Sequence, residues 1–367
     1  MTPFSSLTYQ GQVRRLRRLA ESTLPQYGLT ADNCRLTPLQ HAENATFRID
    51  SQENGRSYCL RIHRPDYQTP EAIRSELLLL AQLGEAGFRV PIPVATREGE
   101  WVATAHASGV PDVRCVTLLG WVNGRFLRGQ PPESAWVETS AALLARLHTF
   151  WQSVALPIGV VRPRLDDEPF LQRSLAQSFA EMGASLSGKA RGVIEQGVEK
   201  ASAVREQLGE GPSVFGLIHG DFHRGNLLLG ARGEIRVIDF DDCGWAHYLT
   251  DIANATEGYL RQPDGEELRR AFLRGYRTVR DLSAEHEALL PVFTFTRSLI
   301  AIRWMAARQD NPRLRAYLPG HIEDCVRYAQ PLRAQTDLLS GGGSHAGRLD
   351  LGALAVDQVP NGDERGD

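Results

Sequence analysis

The chain has 367 residues, a formal net charge of −3 and a 42% hydrophobic share. That is enough apolar mass for two domains or one large two-lobed domain, and the near-neutral balance gives no general pull toward nucleic acid or membrane. No run of about 18 apolar residues marks a membrane span and MTPFSSLTYQGQVRRLRRL lacks the apolar centre of a signal peptide. The five scattered cysteines (Cys34, Cys59, Cys115, Cys243, Cys325) read as reduced thiols of a cytoplasmic protein.

Residues 7–25 have the pattern of an amphipathic helix with Arg14, Arg15, Arg17 and Arg18 on a basic face, read as a solvated helix packed on the domain. From Arg35 to Arg64 the pattern turns to strands: Asn44 to Ile49 alternates, Glu53-Asn54-Gly55-Arg56 supplies a hairpin turn, and Tyr58 to His63 makes a third strand. On that strand Leu60 and Ile62 face one way, and Cys59, Arg61 and His63 the other. Thr69-Pro70-Glu71 has the chemistry of a helix start, with an N-cap hydroxyl, proline at the first position and an acid in the first turn. The helix runs to about Leu83, with Ile73, Leu77 and Leu80 on its buried stripe and Glu76 beside it.

Trp101 to Ala105 and Arg114 to Leu119 read as further strands, ended by Gly120-Trp121-Val122-Asn123-Gly124. The chain is then mostly helical: Glu133 to Trp151, whose aromatic stripe reads as core and whose His148 reads as a satisfied core histidine, and one or two helices over 166–208, broken near 183–188.

Phe215 to Asp251 (FGLIHGDFHRGNLLLGARGEIRVIDFDDCGWAHYLTD) is the chemically dense stretch. Leu217-Ile218 reads as a strand leading into His219-Gly220-Asp221; Asn226 follows five residues after Asp221. Leu227 to Leu229 and Arg236 to Ile238 form a hairpin that ends at Asp239. Polar residues at strand ends are where a rigid scaffold presents groups to a ligand. Phosphoryl transfer wants this set: one carboxylate to orient a hydroxyl, plus oxygen ligands for divalent metal. A zinc reading of His219, Asp221 and His223 leaves Asn226 and Asp239 unexplained. A calcium loop from Asp239 places Gly244 correctly but has Thr250 where the bidentate Glu belongs. Charged residues merely closing turns would account for one motif, not for the ordered set.

HGDFHRGN, VIDFDD and TDIA together resemble the aminoglycoside phosphotransferase and choline kinase-like family over roughly residues 35–310. The Gly-rich, polar end over 336–367 reads as a disordered or loosely docked tail, and the resemblance implies an α+β, bilobal, protein kinase-like fold, with a small antiparallel-sheet N-lobe over 1–119, a hinge at 120–124 and a helical C-lobe over 125–335. It implies ATP and Mg²⁺ as cofactors, Asp221 as catalytic base, and Asn226 and Asp239 as metal ligands. His219 and His223 support the loop, Asp241 assists the metal or a cationic substrate, and Asp251 ties the segment to the C-lobe. Protein kinases carry a lysine on the third strand; here Arg61 stands in its place, with Glu76 as its ion-pair partner. The usual glycine-rich loop is replaced by 41–45, where Asn44 lies near the phosphates, and the backbone of Leu118, Gly120 and Val122 reads adenine. The resemblance implies a small-molecule hydroxyl as acceptor, such as an amino alcohol or an aminoglycoside-like compound. Arg61-Ile62-His63-Arg64-Pro65 also resembles the bacterial stress-response kinase that phosphorylates protein Ser/Thr. A non-catalytic pseudokinase is the rival class, though such proteins normally lose one of the Asp/Asn/Asp set. For a cationic acceptor, Asp241-Asp242 and Asp166-Asp167-Glu168 are the candidate acids, with His247, Arg303 and Trp304 as candidate pocket walls.

Overall fold

The computed structural model describes residues 2–41, 44–65, 67–166, 168–182, 186–308 and 312–334. The segments expected at Ala42-Glu43 and in the tail lie outside them. The N-lobe is a five-stranded antiparallel sheet in the order β1-β2-β3-β5-β4, formed by β1 (Cys34–His41), β2 (Ala45–Ser51), β3 (Ser57–Ile62), β4 (Val102–Ala105) and β5 (Arg114–Gly120). Its two faces have different partners. Phe47, Ile49, Leu60, Ile62, Val116 and Leu118 pack against Leu16, Leu19 and Ala20 of helix α1 (Tyr9–Thr23). Those leucines are spaced to share one face of the helix, so its arginines remain on the solvent side. Full burial of each such leucine contributes about 1.5–3 kcal/mol.

Cys59 and Arg61 point to the opposite face, toward helix α2 (Pro70–Glu85). Thr69 caps that helix by accepting from the Ala72 amide at 3.2 Å, with Pro70 in the first turn. Ile73, Leu77, Leu80 and Leu83 do not join the core under α1. They belong to the large core that continues through Trp151, Leu217 and Phe240. Helix α2 is therefore packed as part of the catalytic floor, which fixes the height of Glu76 above it.

Below β5 the chain is helical: α3 (Ser134–Ser153), α4 (Glu168–Met182), α5 (Gly188–Leu208), α6 (Tyr248–Glu257), α7 (Gly265–Arg277), α8 (Ala284–Ala288), α9 (Leu290–Ala306) and α10 (Pro312–Ala334). Two small sheets interrupt the helices. One is the set β6-β8-β9, from β6 (Arg125–Phe126), β8 (Leu227–Leu229) and β9 (Ile235–Val237). The other pairs β7 (Phe215–Ile218) with β10 (Gly244–His247). The sequence reading leaves β10 and α10 unassigned. Only pairing with β7 makes Gly244–His247 a strand; its four residues carry no alternation of their own. Among the described residues no helix is long and apolar enough to cross a membrane.

Candidate active site

Two loops form the floor of the cleft between the lobes. The first leaves β7 at His219. Gly220 adopts φ +82°, and a Cβ there would lie 2.1 Å from the Asp242 carbonyl oxygen, so glycine is required both by conformation and by close approach. The buried Asp251 carboxylate of α6 accepts from the amides of His219 (2.7 Å) and Gly220 (2.9 Å). It also accepts from His148 Nε2 at 3.2 Å, while His148 Nδ1 accepts from the Tyr276 hydroxyl at 2.9 Å. Burial lowers the His148 pKa against the pull of Asp251, which keeps the ring neutral and its tautomer defined. His219 is wholly buried: Nε2 donates to the Ile238 carbonyl (3.2 Å) and Nδ1 accepts from the Asp221 amide (3.2 Å). Both ring nitrogens are thus used inside the loop, not turned to a shared metal with His223. Among the described residues no group of three or more His, Cys, Asp or Glu could hold a metal.

Asp221 emerges from this loop with its carboxylate gripped on three sides. Oδ2 accepts from His223 Nε2 (3.1 Å) and Asn226 Nδ2 (2.9 Å), and Arg297 of α9 stands 3.4 Å from Oδ1. Burial would raise its pKa, but the His223 hydrogen bond, with Arg297 nearby, holds it well below the usual carboxylate range. Asn226, itself buried, spends its amide nitrogen on the Asp221 carboxylate and carbonyl (3.0 Å), which leaves the amide oxygen to face away from Asp221.

The second loop follows β9. The Ile238 amide donates to the Asn226 carbonyl at 3.0 Å, so the two loops are hydrogen-bonded where the functional residues begin. Asp239 has φ +66°, a left-handed conformation that aspartate tolerates better than most residues. It turns the side chain up into the cleft, where half its surface is exposed. Burial of the site and the carboxylates of Asp241 and Asp221 raise its pKa, opposed by Arg61. Arg61 is itself buried on β3: Nη1 forks onto both Glu76 oxygens (2.8 and 3.0 Å) and Nη2 donates to Asp239 Oδ1 (3.0 Å). Burial alone would lower the arginine's pKa, but Glu76, Asp239 and Asp241 raise it well above its ordinary value. Beside it, burial pushes the His63 imidazole down to about 3, and its Nε2 lies 3.1 Å from the Thr117 hydroxyl.

The remaining acids divide in a way the sequence does not show. Asp241 faces the N-lobe: Oδ2 accepts from Asn44 Nδ2 (2.7 Å), whose Oδ1 in turn accepts from the Arg64 amide (3.1 Å). Its carbonyl accepts from Gln68 Nε2 (3.1 Å) and from Arg162, which also donates to the carbonyls of Ala72 (2.9 Å) and Cys243 (2.6 Å). Asn44 is thus placed as a clasp between lobes. Asp242 points elsewhere and accepts from the Tyr67 hydroxyl at 2.6 Å. Asp166 is buried against the His247 amide (2.9 Å) and Nδ1 (2.6 Å), and His247 Nε2 lies 2.9 Å from the Gly209 carbonyl. Neither residue is a wall of the cleft. Asp167 lies outside the described residues.

At the end of β5 the Leu118 carbonyl accepts from the Val94 amide (2.9 Å) and the Gly120 amide donates to the Ile92 carbonyl (2.7 Å). Those two groups are committed to the 92–94 segment, whereas Val122 lies beyond the last residue of β5 paired with β3. Arg297, Arg162 and Tyr67 are the site residues that sequence reading misses. With only Lys189 and Lys200 among 41 basic residues, no single arginine stands out, and Arg297 follows Asp221 by 76 positions.

A five-stranded antiparallel lobe over a helical lobe, with an aspartate, an asparagine and a second aspartate converging between them, defines a protein kinase-like phosphotransferase fold. Residues 35–289 match the phosphotransferase enzyme family, and the chain belongs to that family. It is similar to the homoserine kinase of Neisseria meningitidis serogroup B, 37% identical over 219 residues that cover 59% of this chain and 65% of the relative. The solved structure of a microcompartment-associated aminopropanol kinase superposes with a TM-score of 0.76 at 29% identity, covering 87% of this chain and 98% of that one. An amicoumacin kinase in complex with AMP-PNP and Ca²⁺ shares the fold at a TM-score of 0.70 and 21% identity, covering 90% and 97%. The protein is a phosphotransferase with an alcohol group as acceptor and a small molecule as substrate.

Proposed function

We propose that the protein transfers the γ-phosphate of ATP to the hydroxyl of a small amino alcohol, with Mg²⁺ as the metal. The single observation that carries this reading is the convergence of Asp221, Asn226 and Asp239 through the bond between the Ile238 amide and the Asn226 carbonyl. The donor set fits the metal: an amide oxygen turned away from Asp221 and a cleft-facing carboxylate are hard oxygen ligands of the kind Mg²⁺ takes. Held by Asn226 and Asp239, the metal would offset the negative charge of the phosphates during transfer.

The chain's own residues do the positioning. Asp221 accepts the acceptor's hydroxyl hydrogen bond and aligns the oxygen for in-line attack. Because its pKa is held so low, it orients the hydroxyl rather than storing the proton, which suits a loose transition state where bond formation lags. Arg61, held by Glu76, supplies a fixed guanidinium for the non-transferred phosphates. Residues 120–124 are the hinge, with adenine read chiefly near Val122. The amino-alcohol assignment is supported by what the aminopropanol kinase acts on.

The test is ADP release from Mg²⁺-ATP with a panel of amino alcohols, hydroxyamino acids, diols, an aminoglycoside and a generic protein substrate. A kcat/KM highest for amino alcohols is the expected result. Turnover only with the protein substrate, or none above the acceptor-free rate, would overturn it.

A further inference from the structure

Asp221 separates the cleft into two sides. On one side stand Arg61, Asp239 and Asp241, linked to the N-lobe strands. On the other stand α9, which brings Arg297 to Asp221, and Asp242 with Tyr67. Arg61 and Asp239 are bonded to each other, whereas Asp242 is bonded to Tyr67 and lies near Arg303 of α9, the helix that also brings Arg297 to Asp221.

Asp242 is the acid on that side. Its backbone is pressed against Gly220, as the 2.1 Å approach of a notional Cβ shows, so it is anchored next to the residue that precedes Asp221. Its carboxylate accepts from the Tyr67 hydroxyl at 2.6 Å. Arg303 of α9 is close enough to interact electrostatically with both Asp242 and Tyr67, but its Nη1 donates to Ser174 at 3.1 Å. The neighbour Asp241 differs: its Oδ2 accepts from Asn44, while its buried Oδ1 has no hydrogen-bond partner among the described residues and lies 3.8 Å from Arg61. A half-buried carboxylate, steadied by one neutral donor and facing other carboxylates, is completed by a cation.

We propose that Asp242, positioned by Tyr67, binds the protonated amine of the acceptor and so selects amino alcohols over neutral alcohols at this site. The proposal rests on the phosphotransfer reading above and deepens it. Asp242 lies close enough to Asp221 for their charges to interact, and its carbonyl abuts Gly220, the residue before Asp221. Tyr67 donates to the carboxylate and so favours its ionised form, which the ligand's ammonium completes. Its position just before α2 means that the N-lobe contributes to acceptor selection as well as to nucleotide binding.

The experiment compares 1-amino-2-propanol with 1,2-propanediol, acceptors of matched size that differ by the charge, in the wild type, Asp242→Asn and Tyr67→Phe. Asparagine still accepts from Tyr67, so the loop keeps its bond. Removing a charged hydrogen bond of about 1.5–3 kcal/mol should raise KM for the amino alcohol roughly 10- to 100-fold in Asp242→Asn, while kcat and the diol's KM stay within about threefold. Tyr67→Phe should raise the amino alcohol's KM by roughly 3- to 10-fold by the same scale, again sparing the diol. The proposal is overturned if the amine preference persists in Asp242→Asn, or if that variant loses kcat equally on both acceptors and weakens Mg²⁺-ATP. The latter result would assign Asp242 to the metal loop. A wild type that phosphorylates neither compound nor any other small hydroxyl would instead remove the phosphotransfer reading itself.

Discussion

Arg61 Nη2 donates to Asp239 Oδ1 at 3.0 Å, so the cation of the nucleotide-covering sheet is bonded directly to the cleft-facing carboxylate of the catalytic floor. The same guanidinium grips both oxygens of Glu76. One planar fork therefore joins β3, α2 and the loop after β9, a geometry an ammonium cannot reproduce because it binds as a point charge.

Arg61→Ala leaves Glu76 buried without its partner, which should cost about 3–5 kcal/mol of stability, visible as a lower midpoint in denaturant titration. Arg61→Lys should fold but lose the bridge to one of the two carboxylates. Nucleotide affinity by calorimetry should then fall on the order of tenfold, equivalent to about 1.4 kcal/mol. Unchanged affinity in the lysine variant would show that the fork is not needed.

Asp221→Ala should lower kcat by roughly 10²–10⁴-fold while nucleotide binding survives. Since the folded pKa of Asp221 lies below the unfolded value, its ionised form is present at all ordinary pH, and its contribution to stability is lost only as pH falls through that depressed value. A kcat profile between pH 6 and 9 should therefore contain no step that disappears in the Asp221→Ala background. An undiminished rate in this variant would remove the role assigned to the residue.

Gly220→Ala forces a non-glycine residue to φ +82° and drives its Cβ into the Asp242 carbonyl. Displacement of the loop should cost more than about 1 kcal/mol and reduce kcat, because the two amides bound to Asp251 sit at this turn. Thermal melts and steady-state rates on the same preparation check both. Wild-type values of each would show that the turn can shift without consequence.

Burial, with Asp221 and Asp241 nearby, raises the Asp242 carboxyl to about 7 against the Tyr67 hydrogen bond. A carboxyl whose folded pKa exceeds its unfolded value of about 3.9 binds its proton more tightly in the folded state. The stability this contributes is fully present below about pH 4 and is lost as pH rises toward 7. The stability advantage of Asp242→Asn over the wild type should thus grow between pH 5 and pH 8, by about 1–2 kcal/mol after allowing for solvent screening. Melting curves in the absence of ligand at the two pH values read the difference. An equal gap at both would exclude ionisation of Asp242 as the cause.

The sequence by itself determined the local elements and the chemistry of the two loops. Apolar alternation marked β2 and β3, the Thr-Pro-Glu start marked α2, and the spacing from Asp221 through Asn226 to Asp239 marked phosphoryl transfer, because these features depend on near neighbours along the chain. Tertiary structure alone decided how the long-range partners divide. Asp241 and Asp242 are adjacent in sequence, yet one is held by Asn44 from 197 positions away and the other by Tyr67 from 175. Gly244–His247 became a strand only by pairing with β7, and Arg297 became part of the site only because α9 folds back over Asp221. A carboxylate's role is fixed by the charges and donors packed around it in space, and the order of residues along the chain does not contain that distance.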